Sequence, residues 1–203
     1  MPLDPPPPFV RAGVPGASRL LRIAAILYGL LAAAALAWNG WEGRPWAYLD
    51  AASAAAGIDW PRDLALGLAC AAAVIAASHQ LTTRTRWGAA LARELAEALG
   101  PLTLAECAGL AALSGFAEEV FFRGALQPRL GWFTASVVFG LAHYAPRRSL
   151  LPWTGFALLA GGLLGALFAA TGNLVAPVTA HAAINAVNLR LLTRSIPPGL
   201  RAR

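Results

Sequence analysis

Residues 19–38, RLLRIAAILYGLLAAAALAW, open a series of six apolar runs that continues at about 63–82, 103–127, 131–145, 151–171 and 173–192. An α-helix rises about 1.5 Å per residue, so about 20 residues cross the ~30 Å hydrocarbon core of a bilayer. The fourth run is short for that task and is expected to cross only part of the layer. The chain is 58% hydrophobic and 13% charged, too apolar for an ordinary soluble domain. The expected fold is therefore all-α, a polytopic membrane helix bundle of about six transmembrane helices in one domain, 19–203. The opening MPLDPPPPFVRAGVPG is too rich in proline to sustain a helix, and 1–18 is expected to be a flexible tail. The first run also resembles a signal peptide, with Ala35-Leu36-Ala37 imitating a cleavage site, but its length favours a retained span.

Charge sets the topology. All sixteen basic residues are arginines, and apart from Arg123 they sit between or near the ends of the runs. With the N-terminus inside, Arg11, Arg19, Arg22, Arg84, Arg86, Arg93, Arg147, Arg148, Arg190, Arg194, Arg201 and Arg203 lie on the inner side. Only Arg44, Arg62, Arg123 and Arg129 fall toward the outer side, and this asymmetry predicts cytoplasmic N- and C-termini. There is no basic stripe interleaved with aromatics, so no nucleic-acid partner is expected. The arginine- and alanine-rich composition looks bacterial, which places the protein in the inner (cytoplasmic) membrane. Trp38, Trp60, Trp87, Trp132 and Trp153 fall at run ends, as an interfacial belt requires. In RWGAALARELAEALG, Trp87, Leu91, Leu95 and Leu99 recur every four residues, which predicts an amphipathic helix lying in the interface. The 39–62 loop is expected outside, with part of it folded against the bundle. Cys70 and Cys107 fall within helical runs and imply no disulfide or Cys-based metal site.

Against this background the polar residues inside the runs stand out. An ionised side chain at mid-bilayer costs about 2.5–3.5 kcal/mol on insertion scales, so each is a candidate for function. In SGFAEEVFFRGAL, Glu119 and Arg123 are four apart with the acid first, the favourable order for a helical ion pair. Glu118 points about 100° away and lacks that partner, the disposition a general base needs. Alternatively, both glutamates and the arginine form one structural network. In FGLAHY, Phe139 and His143 share a helical face; in HAAIN, His181 and Asn185 do. With a turn near Pro128–Gly131, Glu118 and His143 lie ~15 and ~18 Å below one membrane face; His181 and Asn185, counted from Asn173, lie ~12 and ~18 Å below it. The four side chains are thus expected to meet at one level. Thr103-x-x-Glu106 reads as a capping box, His79 as an interfacial side chain, and Gly161, Gly162 and Gly165 as close helix packing.

EEVFFR, FGLAH and HAAIN resemble, in order, the EExxxR, FxxxH and HxxxN/D motifs of the CPBP family, the CAAX-processing and bacteriocin-processing intramembrane proteases, over about residues 100–192. The resemblance implies peptide-bond hydrolysis by a glutamate-activated water. Glu118 would be the general base and His143 would hold the water. His181 and Asn185 would donate to the developing oxyanion, and Glu119 and Arg123 would lock the catalytic helix, with Phe139 in support. No metal or other cofactor is expected, because Glu118 as a ligand would leave no base; a zinc site built on one Glu and two His is the alternative. The expected partners are the bilayer and a membrane-anchored protein or peptide substrate whose C-terminal anchor or sorting tail is cleaved, as in the myxosortase-like members. A prenylated substrate is not expected. A site nearer the outer face and a short fourth span suggest lateral entry. A non-catalytic immunity or binding protein and an ion-relaying transporter are the competing readings; the absence of inverted repeats weighs against the transporter.

Overall fold

The computed structural model describes residues 17–194. The tail expected over 1–18 therefore lies outside the described residues except for the first two positions of the first helix, and Arg11, Arg201 and Arg203 lie outside them too. The elements are α1 (Ala17–Trp41), α2 (Ala51–Ala56), α3 (Trp60–Arg84), α4 (Arg86–Leu99), α5 (Leu104–Glu119), a π-helical segment (Val120–Leu126), α6 (Gln127–Ala142), a 3-10 turn (Arg148–Leu150), α7 (Leu151–Thr171) and α8 (Val175–Arg194). Among the described residues the only β pairing is an isolated bridge between Tyr48 and Asn173.

Local chemistry sets the helix ends. The capping box forms as expected: Thr103 N–H donates to Glu106 at 2.7 Å and Glu106 N–H to the Thr103 hydroxyl at 3.2 Å. Asp50, Asp59 and Thr85 cap α2, α3 and α4 through their side-chain oxygens. Asn173 Oδ1 accepts from Val175 N–H at 2.9 Å and starts α8. Gly131 (φ 80°) reverses the chain early in α6, a backbone conformation that a side chain would strain. The reversal is plain from packing: the rings of Phe122 and Phe139, seventeen residues apart, lie 5.0 Å apart, where a straight helix would separate their backbones by ~25 Å.

By length and composition, α1, α3 and α7 can cross a membrane, and the bent pair Arg86–Leu99 and Leu104–Ala142 makes a fourth candidate. α5 and α6 enter only as parts of that fourth candidate, α6 alone having 16 residues. α8 falls outside the candidates and carries His181, Asn185, Asn188 and Thr193 among its apolar positions. α5 occupies the middle, packed against α1 on one side and α8 on another, while α6 packs on α7 and α3 on α8. At the α3–α8 contact a Cβ on Gly67 would come within 2.6 Å of the Ala176 carbonyl oxygen. Gly67→Val is therefore expected to force the helices apart and destabilise the bundle by about 1–3 kcal/mol, measurable as a lower unfolding midpoint in detergent.

The 39–62 segment folds back on the bundle, as expected for part of it. Leu49 N–H donates to Gly172 O at 2.9 Å and Leu174 N–H to Ala47 O at 3.0 Å. Buried Asp63 anchors this end, accepting from Asn173 Nδ2 at 2.6 Å and from Arg62 Nε at 2.9 Å. Arg129 lies over the Trp38 ring, donates to Asn39 Oδ1 at 3.1 Å and pairs with Glu42 at 2.8 Å, tying the end of α1 to the α5–α6 reversal. The Arg129 hydrogen bonds hold the exposed Glu42 carboxyl below the ordinary carboxylate range. A depressed folded-state value means that this contribution is present at neutral pH and is lost as pH falls.

Of the five tryptophans expected at the interface, Trp38, Trp60, Trp87 and Trp132 are exposed. Trp153 differs: its ring stacks on Phe156 and turns inward toward His143.

Candidate active site

A cavity of about 400 Å³ runs through the bundle, and Glu118, Phe139, His143, His181 and Asn185 all line it. Three elements deliver them: the end of α5, the end of α6 and the middle of α8. Ala117, Glu118 and Glu119 are buried against the neighbouring helices, and the turn that follows them is π-helical. Such segments recur at functional sites because the widened turn re-aims side chains. Here it carries buried Arg123.

The fully buried Glu119 is the hub of one half of the site. Its Oε1 accepts from Arg123 Nη1 at 2.8 Å and lies 2.7 Å from His181 Nδ1. Arg123 donates further to the Gly161 carbonyl at 2.9 Å and stacks over Phe139 at 4.5 Å. The expected ion pair is thus present, and it extends through His181 to α8 and through Gly161 to α7. The α7 glycines do more than permit close packing. Their carbonyls also accept from inward donors: Gly161 from Arg123, Gly162 from Trp132 Nε1 at 2.8 Å, and Gly165 from Gln127 Nε2 at 2.9 Å. A Cβ on Gly165 would sit 2.8 Å from Gln127 Oε1.

The other half faces the cavity. His143 caps α6, and its Nδ1 is 2.8 Å from the Phe139 carbonyl oxygen. A carbonyl can only accept, so Nδ1 carries the proton and Nε2 is left to face Glu118. Nε2 and Glu118 Oε2 are 3.6 Å apart, and Oε2 is buried without a hydrogen-bond partner. A neutral imidazole Nε2 and a carboxylate oxygen are both acceptors. They cannot bond each other, yet one water could donate a proton to each. Asn185 Nδ2 donates to the Ser114 hydroxyl at 2.9 Å, which sets the amide plane at the cavity wall.

A three-ligand zinc site does not fit this arrangement. Glu118 and His143 face each other, but His181 is held at Nδ1 by Glu119, and no three His, Cys, Asp or Glu side chains among the described residues converge as ligands.

The sequence pattern did not reveal three of the lining side chains. Ser114 is one turn before Glu118 on the same face, a spacing that does carry a signal. Trp153 lies at a run end, a position that by sequence alone belongs to the interface. Tyr28 on α1 lines the cavity together with Glu118; its only trace was a lone polar group in an apolar run. Beyond the site the cavity continues past Leu20, Leu95, Leu99 and Leu192, toward the end of the bundle built from the start of α1, α4 and the end of α8. The short span α6 is packed on α7.

Comparison with known proteins singles out the same part of the chain. Residues 100–187 match the family described as type II CAAX prenyl endopeptidase Rce1-like. An uncharacterized protein of Bacillus subtilis (strain 168), YpbD, is 44% identical over 80 residues, which is 38% of this chain and 41% of the relative. The match thus spans about two fifths of that relative's length. No solved structure matches.

Proposed function

We propose, from the Rce1-like segment 100–187 of a CPBP-type protease family, that the chain is a membrane-embedded endopeptidase acting through Glu118. The observation that carries this reading is the facing pair of free acceptors, Glu118 Oε2 and His143 Nε2 at 3.6 Å, inside a mostly apolar cavity. A water held between them gives its proton to Glu118 while its oxygen attacks the scissile carbonyl carbon. The carbonyl oxygen takes up the negative charge as the tetrahedral intermediate forms. Collapse breaks the C–N bond, and the proton returns from Glu118 to the leaving nitrogen.

Donors aimed at the oxyanion supply most of the electrostatic gain in such reactions. Asn185 and His181 stand on the same wall and are assigned that role. His181 Nδ1 is taken up by Glu119, so Nε2 donates only from the imidazolium, whose counter-charge Glu119 provides. Arg123 then neutralises the second charge of the glutamate pair. Glu119 and Arg123 thus position the α8 donor as well as hold α5, while Phe139 supports both Arg123 and His143.

The substrate class proposed is an unmodified membrane-anchored protein or peptide cut in or beside its C-terminal apolar segment, with both termini of the enzyme in the cytoplasm of a bacterium and the chain in its inner membrane. The apolar lining supports an apolar substrate segment. Residues 19–203 are proposed to act as one domain. The reaction proposed is metal-free, because Glu118 as a ligand would no longer serve as the base and no third ligand converges beside Glu118 and His143 among the described residues.

The test is co-expression with tailed candidate substrates, read by intact mass. Cleavage is expected from the unsubstituted chain and is expected to persist with a chelator, whereas His143→Ala should lower turnover by about 10²-fold or more. Unchanged processing by His143→Ala would leave the polar cluster as a network that merely joins helices.

A further inference from the structure

We propose that Trp153 and Thr154, in the first turn of α7, are positioning residues for His143: the indole fixes the tilt of the imidazole, and the Thr154 hydroxyl fixes the backbone that carries it. For its functional meaning the proposal rests on the proteolytic reading, but the contacts can be tested without it. Neither residue belongs to EEVFFR, FGLAH or HAAIN.

His143 needs such support because of where it stands. It is the C-cap of α6, and its own helix supplies only the Phe139 ring at 4.6 Å and the Phe139 carbonyl oxygen, 2.8 Å from Nδ1. One hydrogen bond at one nitrogen fixes where Nδ1 lies. It leaves the imidazole free to tilt about that bond, because the second side-chain torsion of histidine is broad. A tilt moves Nε2, the atom that faces Glu118 Oε2 at 3.6 Å. The His143 carbonyl is also one of those that a helix end leaves without an intrahelical partner.

The start of α7 supplies both restraints. The Trp153 ring lies 5.9 Å from the His143 ring at an interplanar angle of 64°, the edge-to-face arrangement in which aromatic rings attract. Trp153 is itself held, since it stacks on Phe156 at 5.8 Å and 17°. Phe156 in turn packs on the cluster of Ala71, Val74 and Ile184, from α3 and α8. The buried Thr154 donates its hydroxyl to the His143 carbonyl oxygen at 3.4 Å. Ile184 stands between His181 and Asn185 in the sequence of α8. Through Phe156 and Trp153, the histidine assigned to the water and the two side chains assigned to the oxyanion are therefore referred to one frame.

The chain has three histidines, so isotope labelling of histidine in the full chain, embedded in lipid nanodiscs, gives three sets of ring signals by NMR, and His143→Gln assigns one of them. Trp153→Leu removes an aromatic ring from beside His143 and should move its signals, while those of the exposed His79 stay in place. Thr154→Val keeps the shape without the donor and should move them too; Thr154→Ser should not. Where Trp153→Leu fails to fold, Trp153→Phe carries the same reading with a smaller displacement. The second measurement uses a reporter ending in a single apolar helix of about 20 residues with arginine flanks. On it, Trp153→Leu and Thr154→Val are each expected to lower kcat about tenfold with KM within about twofold, the signature of a misplaced reacting group. Trp153→Phe and Thr154→Ser should recover most of that loss. Unmoved His143 signals overturn the assignment of the residue substituted, as does full turnover by its variant on a reporter that the unsubstituted chain cleaves in a His143-dependent way. A loss carried by KM alone overturns it as well, since the residue would then be a substrate contact. Moved signals in a chain that cleaves no anchored reporter support the contacts and count against the proteolytic reading instead.

Discussion

Glu118→Gln is expected to lower turnover by about 10²–10⁴, the range contributed by a positioned general base, with little change in KM or in the unfolding midpoint. The amide has nearly the same shape as the carboxyl, but it cannot take a proton from water. The charge lost is not the one neutralised by the direct ion pair, since Arg123 bonds Glu119. Folding and chemistry should therefore separate in this variant. A Glu118→Gln chain that folds and still processes substrate would exclude Glu118 as the base, and the facing acceptors would then need another explanation.

The second large effect is on stability. Arg123→Met should destabilise the bundle by about 3–5 kcal/mol, because it strands a fully buried carboxylate whose remaining bonding partner is His181. The same change also leaves the Gly161 carbonyl without its donor. Adding Glu119→Gln in the same chain removes the stranded charge and should recover part of the loss. Chemical unfolding in detergent of the two single variants and the double variant measures the coupling. Purely additive losses would show that the pair does not act as a unit. A chain carrying Arg123→Met that stays folded at low temperature should also process poorly, since the His181 anchor would no longer be held in a neutralised setting.

The cost of charge in lipid explains how much could be read from the amino acids alone. Glu118, His143, His181 and Asn185 were conspicuous because each violates the apolar character of its run, and helix rise alone put them at one depth; the cavity brings them together. The Thr103–Glu106 cap and the Glu119–Arg123 pair follow from spacing within one helix, and both are present. Other features depend on which helices become neighbours, which spacing does not encode. The reach of Glu119 to His181 crosses from α5 to α8. The carbonyls of Gly161, Gly162 and Gly165 serve as acceptors only because α6 and the π-helical segment lie against α7. Trp153 belongs to a residue type that suits a membrane interface, so its inward direction was masked by a sound general rule. The π-helical turn likewise has no residue signature in VFFRGAL that distinguishes it from an α-helix.

The three bonds to the α7 glycine carbonyls have a mechanical consequence. Arg123, Trp132 and Gln127 rivet one wall of the chamber at three successive levels. That wall cannot swing without breaking directional bonds in a medium that offers no replacements. Leucines from α1 and α4 also line the cavity, and their dispersion contacts have no preferred direction and can slide. Any yielding of this chamber is therefore easier on the leucine side than on the riveted one.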